Sequence, residues 1–181
     1  TSIQGETPDD LMGYSVAGLG DINGDGIDDF IIGAPLDSTI NSKAGSAYVI
    51  FGNESFHSQS TLNVSEITNG FVIRGSQTNG YLGIVSAAGD INGDGFHDIL
   101  LAERGHDNNG NEDAGIAHVI FGQETITSSS TFDLNSLNGN NGFSIYGTQS
   151  YDKLGAGLSG AGDVNGDGFD DILIGAPQDS S

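Results

Sequence analysis

The sequence lacks several residue types on which common protein classes depend. It has no cysteine and no tryptophan, and only four Lys and Arg against 25 Asp and Glu, which gives 181 residues a net charge of -21. Without cysteine the chain has no disulfides, thiolate nucleophiles or cysteine zinc sites. So few cations disfavour binding to nucleic acid or to an anionic membrane, because both need cationic patches. The acids must therefore face cations or water.

Long hydrophobic runs are also missing. The sequence contains no run of 18 apolar residues, and it opens at Thr1 without a basic and then apolar leader. We therefore expect either a processed chain or an excised piece, with no membrane insertion. What is abundant is glycine, with 30 residues, and together with 35% apolar residues this composition favours a globular all-β protein with a real core.

An internal repeat is the most informative feature. Placing Asp21, Asp90 and Asp163 in register aligns the chain on itself at offsets of 69 and 73 residues, and the loops read DINGDGIDD, DINGDGFHD and DVNGDGFDD. A repeat of this length indicates one supersecondary unit stacked on its neighbours.

Each unit is predicted to hold four short strands. Apolar runs bounded by turn residues are too short for helices, and the run after each loop is apolar throughout, which indicates a strand buried on both faces. The linkers 61–64 and 131–134 occupy matching places and are expected to pack over a blade edge. The predicted strands are 13–17, 30–32, 47–52 and 70–73 in the first unit, 83–87, 99–101, 117–122 and 142–145 in the second, and 155–159 and 172–174 in the third.

Four-stranded sheets repeated in series are the blades of a β-propeller. The chain is interpreted as one propeller segment with units of approximately 11–75, 80–147 and a partial 152–181, and with 1–5 as the end of a preceding blade. A propeller closes with about four to eight blades. We therefore expect this chain to be part of a longer propeller or to complete its ring by self-association.

The three loops are predicted to bind calcium. Calcium takes 6 to 8 oxygen ligands, so a site needs several carboxylates or amides on one tight turn. Each loop offers side-chain oxygens at positions 1, 3, 5 and 9 and a backbone carbonyl at position 7. About three ions per chain are expected. The predicted ligands are Asp21, Asn23, Asp25, Ile27 and Asp29, then Asp90, Asn92, Asp94, Phe96 and Asp98, then Asp163, Asn165, Asp167, Phe169 and Asp171.

Other metals and other calcium loops fit less well. Magnesium dehydrates reluctantly and demands stricter octahedral geometry. EF-hand and dockerin loops place an acid at position 12 and continue into a helix. Here position 12 is Ile32, Leu101 or Ile174 in a predicted strand, and the acid has moved to position 9.

This combination resembles the FG-GAP repeat of integrin α-subunit propellers, which also occurs in glycosylphosphatidylinositol-specific phospholipase D and in many bacterial surface proteins. Gly33-Ala34-Pro35 and Gly175-Ala176-Pro177 match the Gly-Ala-Pro half of the motif, and Leu82-Gly83 and Leu154-Gly155 stand where the family often has Phe-Gly. The resemblance implies a seven-bladed propeller with calcium in the hairpin loops between the first two strands.

The middle unit departs from the family pattern. It has Ala102-Glu103-Arg104 in place of Gly-Ala-Pro, and His97 replaces the acid found at Asp28 and Asp170. Its calcium site is still expected, because His97 is not at a ligand position.

Other polar residues are given ordinary interpretations. His57, His97, His106 and His118 are scattered without ligand spacing and are interpreted as surface or strand-filling residues. Serines such as 128–130 lack a nucleophile elbow and a paired base. The sequons at Asn53 and Asn63 are compatible with chance, and the acidic stretch 107–113 is interpreted as a solvated loop, with a fourth cation site as the alternative.

The sequence favours a non-enzymatic binding, adhesion or scaffold module in a secreted or cell-surface protein, with an unidentified protein or glycan ligand. Two alternatives remain. One is an accessory propeller of a secreted hydrolase, of phospholipase D or polysaccharide-degrading type, and the other is a lectin-like propeller that binds glycans.

Overall fold

The computed structural model describes residues 2–54, 56, 61–126, 128 and 131–177. Within them lie two 3-10 turns, Val64–Glu66 and Leu134–Ser136, and no helix long and apolar enough to cross a membrane. The strands are β1 (Ser2–Gln4), β2 (Ser15–Gly20), β3 (Asp29–Ala34), β4 (Ser46–Ile50), β5 (Thr61–Asn63), β6 (Gly70–Arg74), β7 (Leu82–Gly89), β8 (Asp98–Glu103), β9 (Ile116–Ile120), β10 (Thr131–Phe132), β11 (Gly142–Tyr146), β12 (Gly157–Gly162) and β13 (Asp171–Gly175).

Each sequence repeat folds into one antiparallel sheet. The first unit pairs β2, β3, β4 and β6 in that order, the second pairs β7, β8, β9 and β11, and the third contributes the hairpin of β12 and β13. The prediction of an all-β chain built from four-stranded antiparallel blades is therefore confirmed, and the chain holds part of a propeller.

The linkers between blades form short parallel strands. β10 lies beside β6 at the edge of the first sheet, with Phe132 opposite Ile73, and β5 pairs in the same way with β1. The second linker therefore covers a blade edge as predicted, and the first linker pairs with the strand that precedes the first unit. The parallel pairing itself was not predicted, because the linkers are too short for a strand pattern to stand out.

The first strand of each unit begins later or earlier than predicted. In the first unit the strand begins at Ser15 and not at Gly13, because Gly13 has a φ of 88° and the amide of Tyr14 donates to the carbonyl of Leu11 in a turn. Each first strand continues to a glycine of positive φ, where the pairing with the next strand shifts by one residue. This bulge is where the chain leaves the sheet and enters the acidic loop.

The core lies between consecutive sheets. All six residues of β8 are buried, as predicted for a strand covered on both faces. Leu101 lies in a cluster with Ile31 of the first sheet, and Leu100 lies in a second cluster with Ile172 of the third. Because alternate residues of a strand point to opposite faces, the second sheet is packed between its two neighbours.

The Gly-Ala-Pro motif allows these sheets to approach closely. A side chain at Gly33 would overlap the backbone of Gly83, and one at Gly83 would overlap Pro35. Gly83 also has a φ of 155°. The Leu-Gly pair of one unit therefore sits on the Gly-Ala-Pro segment of the unit before it, which explains why both positions need glycine.

Candidate functional site

The three acidic loops occupy the same place in each unit. They join β2 to β3, β7 to β8, and β12 to β13, which are the first two strands of each unit. In the first loop Gly24 and Gly26 have φ values of 77° and 85°, in the left-handed region that favours glycine. The DxNGDG pattern therefore sets the path of the turn as well as its charges.

The first acid of each loop accepts hydrogen bonds from the turn that follows it. In the first loop Asp21 Oδ1 accepts from the amide of Gly24 at 2.7 Å, and Oδ2 accepts from the amide of Gly26 at 2.8 Å. Asp90 and Asp163 make the same pairs of bonds in their loops. In the third loop the amide of Gly168 holds the pKa of Asp163 below its ordinary value.

The side chains at positions 3 and 5 continue this pattern. Asn23 Oδ1 accepts from the amide of Asp25 at 2.9 Å, and Asp25 Oδ1 accepts from the amide of Ile27 at 2.9 Å. The Asn23 side-chain amide also donates to Asp25 Oδ2 at 3.2 Å. The second loop repeats all three bonds, and the third repeats the two to backbone amides.

The acid at position 9 fastens the first two loops to the blade. Asp29 is 1% exposed, and its two oxygens accept from the amides of Ile22 at 3.0 Å and Gly52 at 2.8 Å. Asp98 is 0% exposed and accepts from the amides of Ile91 and Gly122, each at 2.9 Å. We call this arrangement the position-9 clamp: one buried carboxylate held between a loop amide and the glycine amide that follows the third strand.

Burial raises the pKa of Asp29 and of Asp98 to about 6. The two amide hydrogen bonds of each clamp act in the opposite direction, and the charges of the acids at positions 5 and 1 raise the pKa further. The ionised clamp is therefore an unfavourable charge in the isolated loop, and a neighbouring cation would relieve it.

The third loop has only half of the clamp. Asp171 Oδ2 accepts from the amide of Val164 at 2.9 Å, while its other oxygen faces the Asn165 side-chain amide at 3.5 Å. Asp171 is also more exposed than Asp29 and Asp98. The described part of the third unit contains no strand equivalent to β4 or β9 and hence no glycine amide in the place of Gly52 or Gly122.

The loop side chains have the chemistry that calcium requires. Each loop offers three carboxylates and one amide oxygen, and a carboxylate oxygen that accepts one N–H keeps a second lone pair. Within the described residues no three His, Asp or Glu side chains already gather as a metal-binding group. The loops hold their oxygens in series along a turn, with the acids at positions 1 and 9 directed at backbone amides.

A second polar cluster, missed by the sequence analysis, lies at the end of β8. Glu103 is 1% exposed, and its oxygens lie 3.6 Å from His106 Nδ1 and 3.6 Å from His118 Nε2, while His118 Nδ1 lies 2.8 Å from Ser144 Oγ. Burial raises the pKa of Glu103, but the two imidazoles outweigh it and leave the pKa below its ordinary value. The cluster lines a cavity of about 650 Å³.

The histidines are thus less scattered than the sequence suggested. His106 and His118 meet at Glu103, the residue that replaces alanine in the Gly-Ala-Pro position, whereas His97 is exposed and His57 lies outside the described residues. Only the register of β8 against β9 brings the pair together, and no sequence spacing signals it.

The remaining polar predictions fall on exposed loops or turns. Six of the seven positions 107–113 carry polar side chains, in an exposed to half-buried hairpin loop in which Asp107 accepts from the amide of Asp113 at 2.8 Å. Asn63 caps the first 3-10 turn through Ser65. Ser55 of the other sequon and Ser129 and Ser130 of the serine run lie outside the described residues.

Comparison with known proteins matches the repeats seen in the structure. The FG-GAP repeat model matches residues 12–50, 82–120 and 155–181. The chain is 28% identical to integrin alpha-5 of Xenopus laevis, 33% identical to integrin alpha-V of Gallus gallus and 29% identical to integrin alpha-PS2 of Drosophila melanogaster. These alignments cover 93%, 93% and 94% of this chain but only 14%, 14% and 11% of the relatives. The chain therefore spans a small part of the length of the relatives it matches, and it belongs to the FG-GAP repeat family.

Proposed function

We propose that this chain is a calcium-binding propeller segment that acts as an extracellular binding or adhesion module. The observation that carries the proposal is the threefold recurrence of one loop, with oxygen donors at positions 1, 3, 5 and 9 in the same hydrogen-bonded turn. A general negative surface charge would not require the same oxygen donors in the same turn three times. A shared metal-binding role of the three loops would require both.

The charge of the loops supports a divalent cation. Three carboxylates stand at the proposed ligand positions of every nine-residue loop, and two of the loops bury one carboxylate almost completely. Three calcium ions carry six positive charges and would change the net charge from -21 to -15. Relief of this like-charge repulsion would stabilise the folded loops.

The ligands in this proposal are the loop side chains at positions 1, 3, 5 and 9, with the carbonyls of Ile27, Phe96 and Phe169 at position 7. When bound, calcium would supply a fixed positive charge that ties each loop to its hairpin. The chain itself provides the oxygens, orients them through the turn amides, and anchors position 9 to the third strand in the first two loops. This is a structural role, and it makes the blade stiffer.

The extracellular and adhesive part of the proposal rests on the relatives, which are integrin alpha subunits. Extracellular calcium-binding modules bind with dissociation constants of about 10⁻⁴ to 10⁻³ M, which suits a compartment rich in calcium. We propose a non-enzymatic role in which loops and faces of the stiffened blades present a surface to a protein ligand.

Thermal unfolding at increasing free calcium tests the metal assignment. If only the folded state binds, and the dissociation constants are about 10⁻⁴ M, 10 mM calcium adds about 2.7 kcal/mol per site. For a domain of this size we expect the melting temperature to rise by roughly 10 °C or more over protein in chelator. Magnesium at the same concentration is the control and should give a much smaller rise. Equal melting temperatures in calcium and in chelator would overturn the assignment.

A further inference from the structure

The second and third acidic loops each contact the loop of the unit before them. Between the second and third loops, the amide of Asp170 at position 8 donates to the carbonyl of Asp90 at position 1, at 3.1 Å. Asp170 Oδ2 accepts in return from the amide of Asp90 at 2.9 Å. Position 1 of the second loop is thus held at two points by position 8 of the third loop.

Position 7 adds an apolar contact between the same loops. The ring of Phe169 lies against Gly93 at position 4 of the second loop, and a side chain on Gly93 would overlap it. The ring of Phe96 lies against Gly24 of the first loop in the same way. The glycine at position 4 therefore allows the turn, through its positive φ, and also leaves room for the ring of the next loop.

These contacts join residues that stand beside the proposed calcium ligands. Asp90 is the position-1 ligand proposed for the second loop. Asp170 lies between two proposed ligands of its own loop, the Phe169 carbonyl and Asp171, but it is not itself at a ligand position. Asp170 therefore connects the two sites without belonging to the proposed ligands of either.

The junction between the first and second loops has a weaker form of this contact. The amide of His97, at position 8 of the second loop, donates to the carbonyl of Asp21 at 3.3 Å, and the imidazole lies against Gly20. Among the described residues the imidazole makes no hydrogen bond to the amide of Asp21. The first junction thus has one of the two hydrogen bonds that Asp170 makes at the second.

We propose that Asp170 couples calcium binding in the second and third loops, an inference that rests on the proposed calcium sites. When the third loop is occupied, the Phe169 carbonyl and Asp171 are fixed, and Asp170 between them is fixed as well. Asp170 then restricts Asp90, so less conformational freedom is lost when the second loop is occupied. Because coupling between two binding sites is reciprocal, occupation of the second loop strengthens binding in the third by the same factor.

Charge acts on this coupling in two directions. Divalent cations in neighbouring loops repel each other, which opposes joint occupation. The carboxylate of Asp170 belongs to the third loop and contacts the second, so its negative charge offsets part of this repulsion. We expect occupation of either loop to raise the affinity of the other by about fivefold or more, the lower end of the usual range for coupled sites. The factor between the first and second loops should be smaller.

Calorimetric titration of calcium into chelator-treated chains with chosen loops disabled tests the proposal. Asp25→Ala disables the first loop by removing its position-5 ligand. Adding Asp94→Ala leaves the third loop alone, and adding Asp167→Ala instead leaves the second loop alone. In the Asp25→Ala chain, where both loops remain, the product of the two binding constants should exceed the product from the two single-loop chains by about fivefold or more.

Substitution of Asp170 should remove most of this factor while every proposed ligand stays in place. Asp170→Ala is added to the two-loop chain and to each single-loop chain. Asp170→Asn keeps an oxygen acceptor for the amide of Asp90 and should retain part of the factor. Asp9→Ala removes an exposed carboxylate outside the loops, controls for net charge and should leave the factor unchanged.

The first junction offers the converse experiment. His97→Asp places there the acid that the third loop has, so it should increase the coupling between the first and second loops, measured in chains that carry Asp167→Ala. Circular dichroism and melting temperatures in chelator verify that each variant folds.

Three outcomes would contradict the inference in different ways. Equal products in the two-loop and single-loop chains would overturn the coupling and leave the calcium sites in place. A factor unchanged by Asp170→Ala would overturn the role of Asp170. An absence of binding heat in every chain, at several temperatures, would overturn the proposed calcium sites and this inference with them.

Discussion

The first two acidic loops and the third share a sequence pattern but differ in how they are anchored. Asp29 and Asp98 are buried, and each accepts two backbone amides, one of which belongs to a glycine that follows the third strand of the blade. Among the described residues Asp171 accepts from one backbone amide, that of Val164, and it is more exposed. The loop motif alone therefore makes a turn, and in the first two units the glycine that follows the third strand holds this turn against the blade.

This difference ranks the proposed calcium sites. A ligand that is already fixed loses little conformational freedom when the ion binds. We therefore expect the first and second loops to bind calcium more tightly than the third. The following predictions test that ranking, in order of decreasing effect.

Removal of the position-9 acid should affect the first loop far more than the third. Asp29→Ala leaves the buried amides of Ile22 and Gly52 without their acceptor, and an unpaired buried donor costs about 1 to 3 kcal/mol. We expect a loss of about 2 kcal/mol or more in the free energy of unfolding, measured by urea denaturation in chelator.

Asp171→Ala is the matched control, because it removes one partly exposed hydrogen bond. It should cost less than about 1 kcal/mol. An equal decrease in the free energy of unfolding in Asp29→Ala and Asp171→Ala would show that the clamp does not anchor the first loop more firmly than the third.

Lowering the pH in chelator should stabilise the protein through the two clamps. The folded pKa of Asp29 and of Asp98 is about 6, above the ordinary value of 3.8, so the folded state binds more protons than the unfolded state between these values. Stability then rises as the pH falls from 7 to 5, by up to about 1.4 kcal/mol per group and pH unit. This stabilisation is complete only below the unfolded pKa and is lost as the pH rises through 6.

In the double variant Asp29→Asn and Asp98→Asn, the free energy of unfolding should no longer increase as the pH falls from 7 to 5. In Asp171→Asn this increase should remain. Glu103 and Asp37 do not interfere between pH 7 and 5, because their pKa values are lowered below the ordinary value. Their contribution to the free energy of unfolding is lost only in more acid solution. A melting temperature that falls steadily from pH 7 to 5 in the unchanged chain would contradict the buried charge assigned to the clamps.

Moving the glycine amide should weaken one site without removing a ligand. A side chain at Gly52 would overlap the carbonyl of Asp28 and the side chain of Ile27, so Gly52→Ala should shift the amide away from Asp29. We expect about tenfold weaker calcium binding at the first loop, which is about 1.4 kcal/mol.

Gly175→Ala is the control for the effect of an added methyl group, since its nearest neighbour lies 3.6 Å away and its position is remote from any clamp. Calorimetric titration of the two variants compares them directly. Unchanged calcium affinity in both variants would show that the amide of Gly52 does not contribute to calcium binding at the first loop.

The sequence predicted the blades and the loops because both depend on local patterns. The short apolar runs gave β3, β8 and β13, and the loop spacing gave the turn whose amides bind Asp21, Asp90 and Asp163. The start of β2 was placed two residues early, because the turn at Leu11 to Tyr14 has the same glycine-rich composition as the strand.

Contacts between distant residues could not be predicted in this way. Gly52 meets Asp29 across 23 residues only because β4 ends beside the loop. Glu103 and His118 meet because adjacent strands align them, and the first unit fills the same place with Tyr48 and Asp37, joined by a hydrogen bond of 3.1 Å. No periodic pattern in the sequence indicates that these residues form pairs.

Calorimetric titration of calcium into chelator-treated protein tests the central claim most directly. The account predicts about three sites per chain, two of them tighter and one weaker, with Asp171→Ala removing only the weak one and Asp29→Ala removing one of the tight pair. Three equal sites would contradict the role of the position-9 clamp, and an absence of binding heat at several temperatures would contradict calcium binding by these loops.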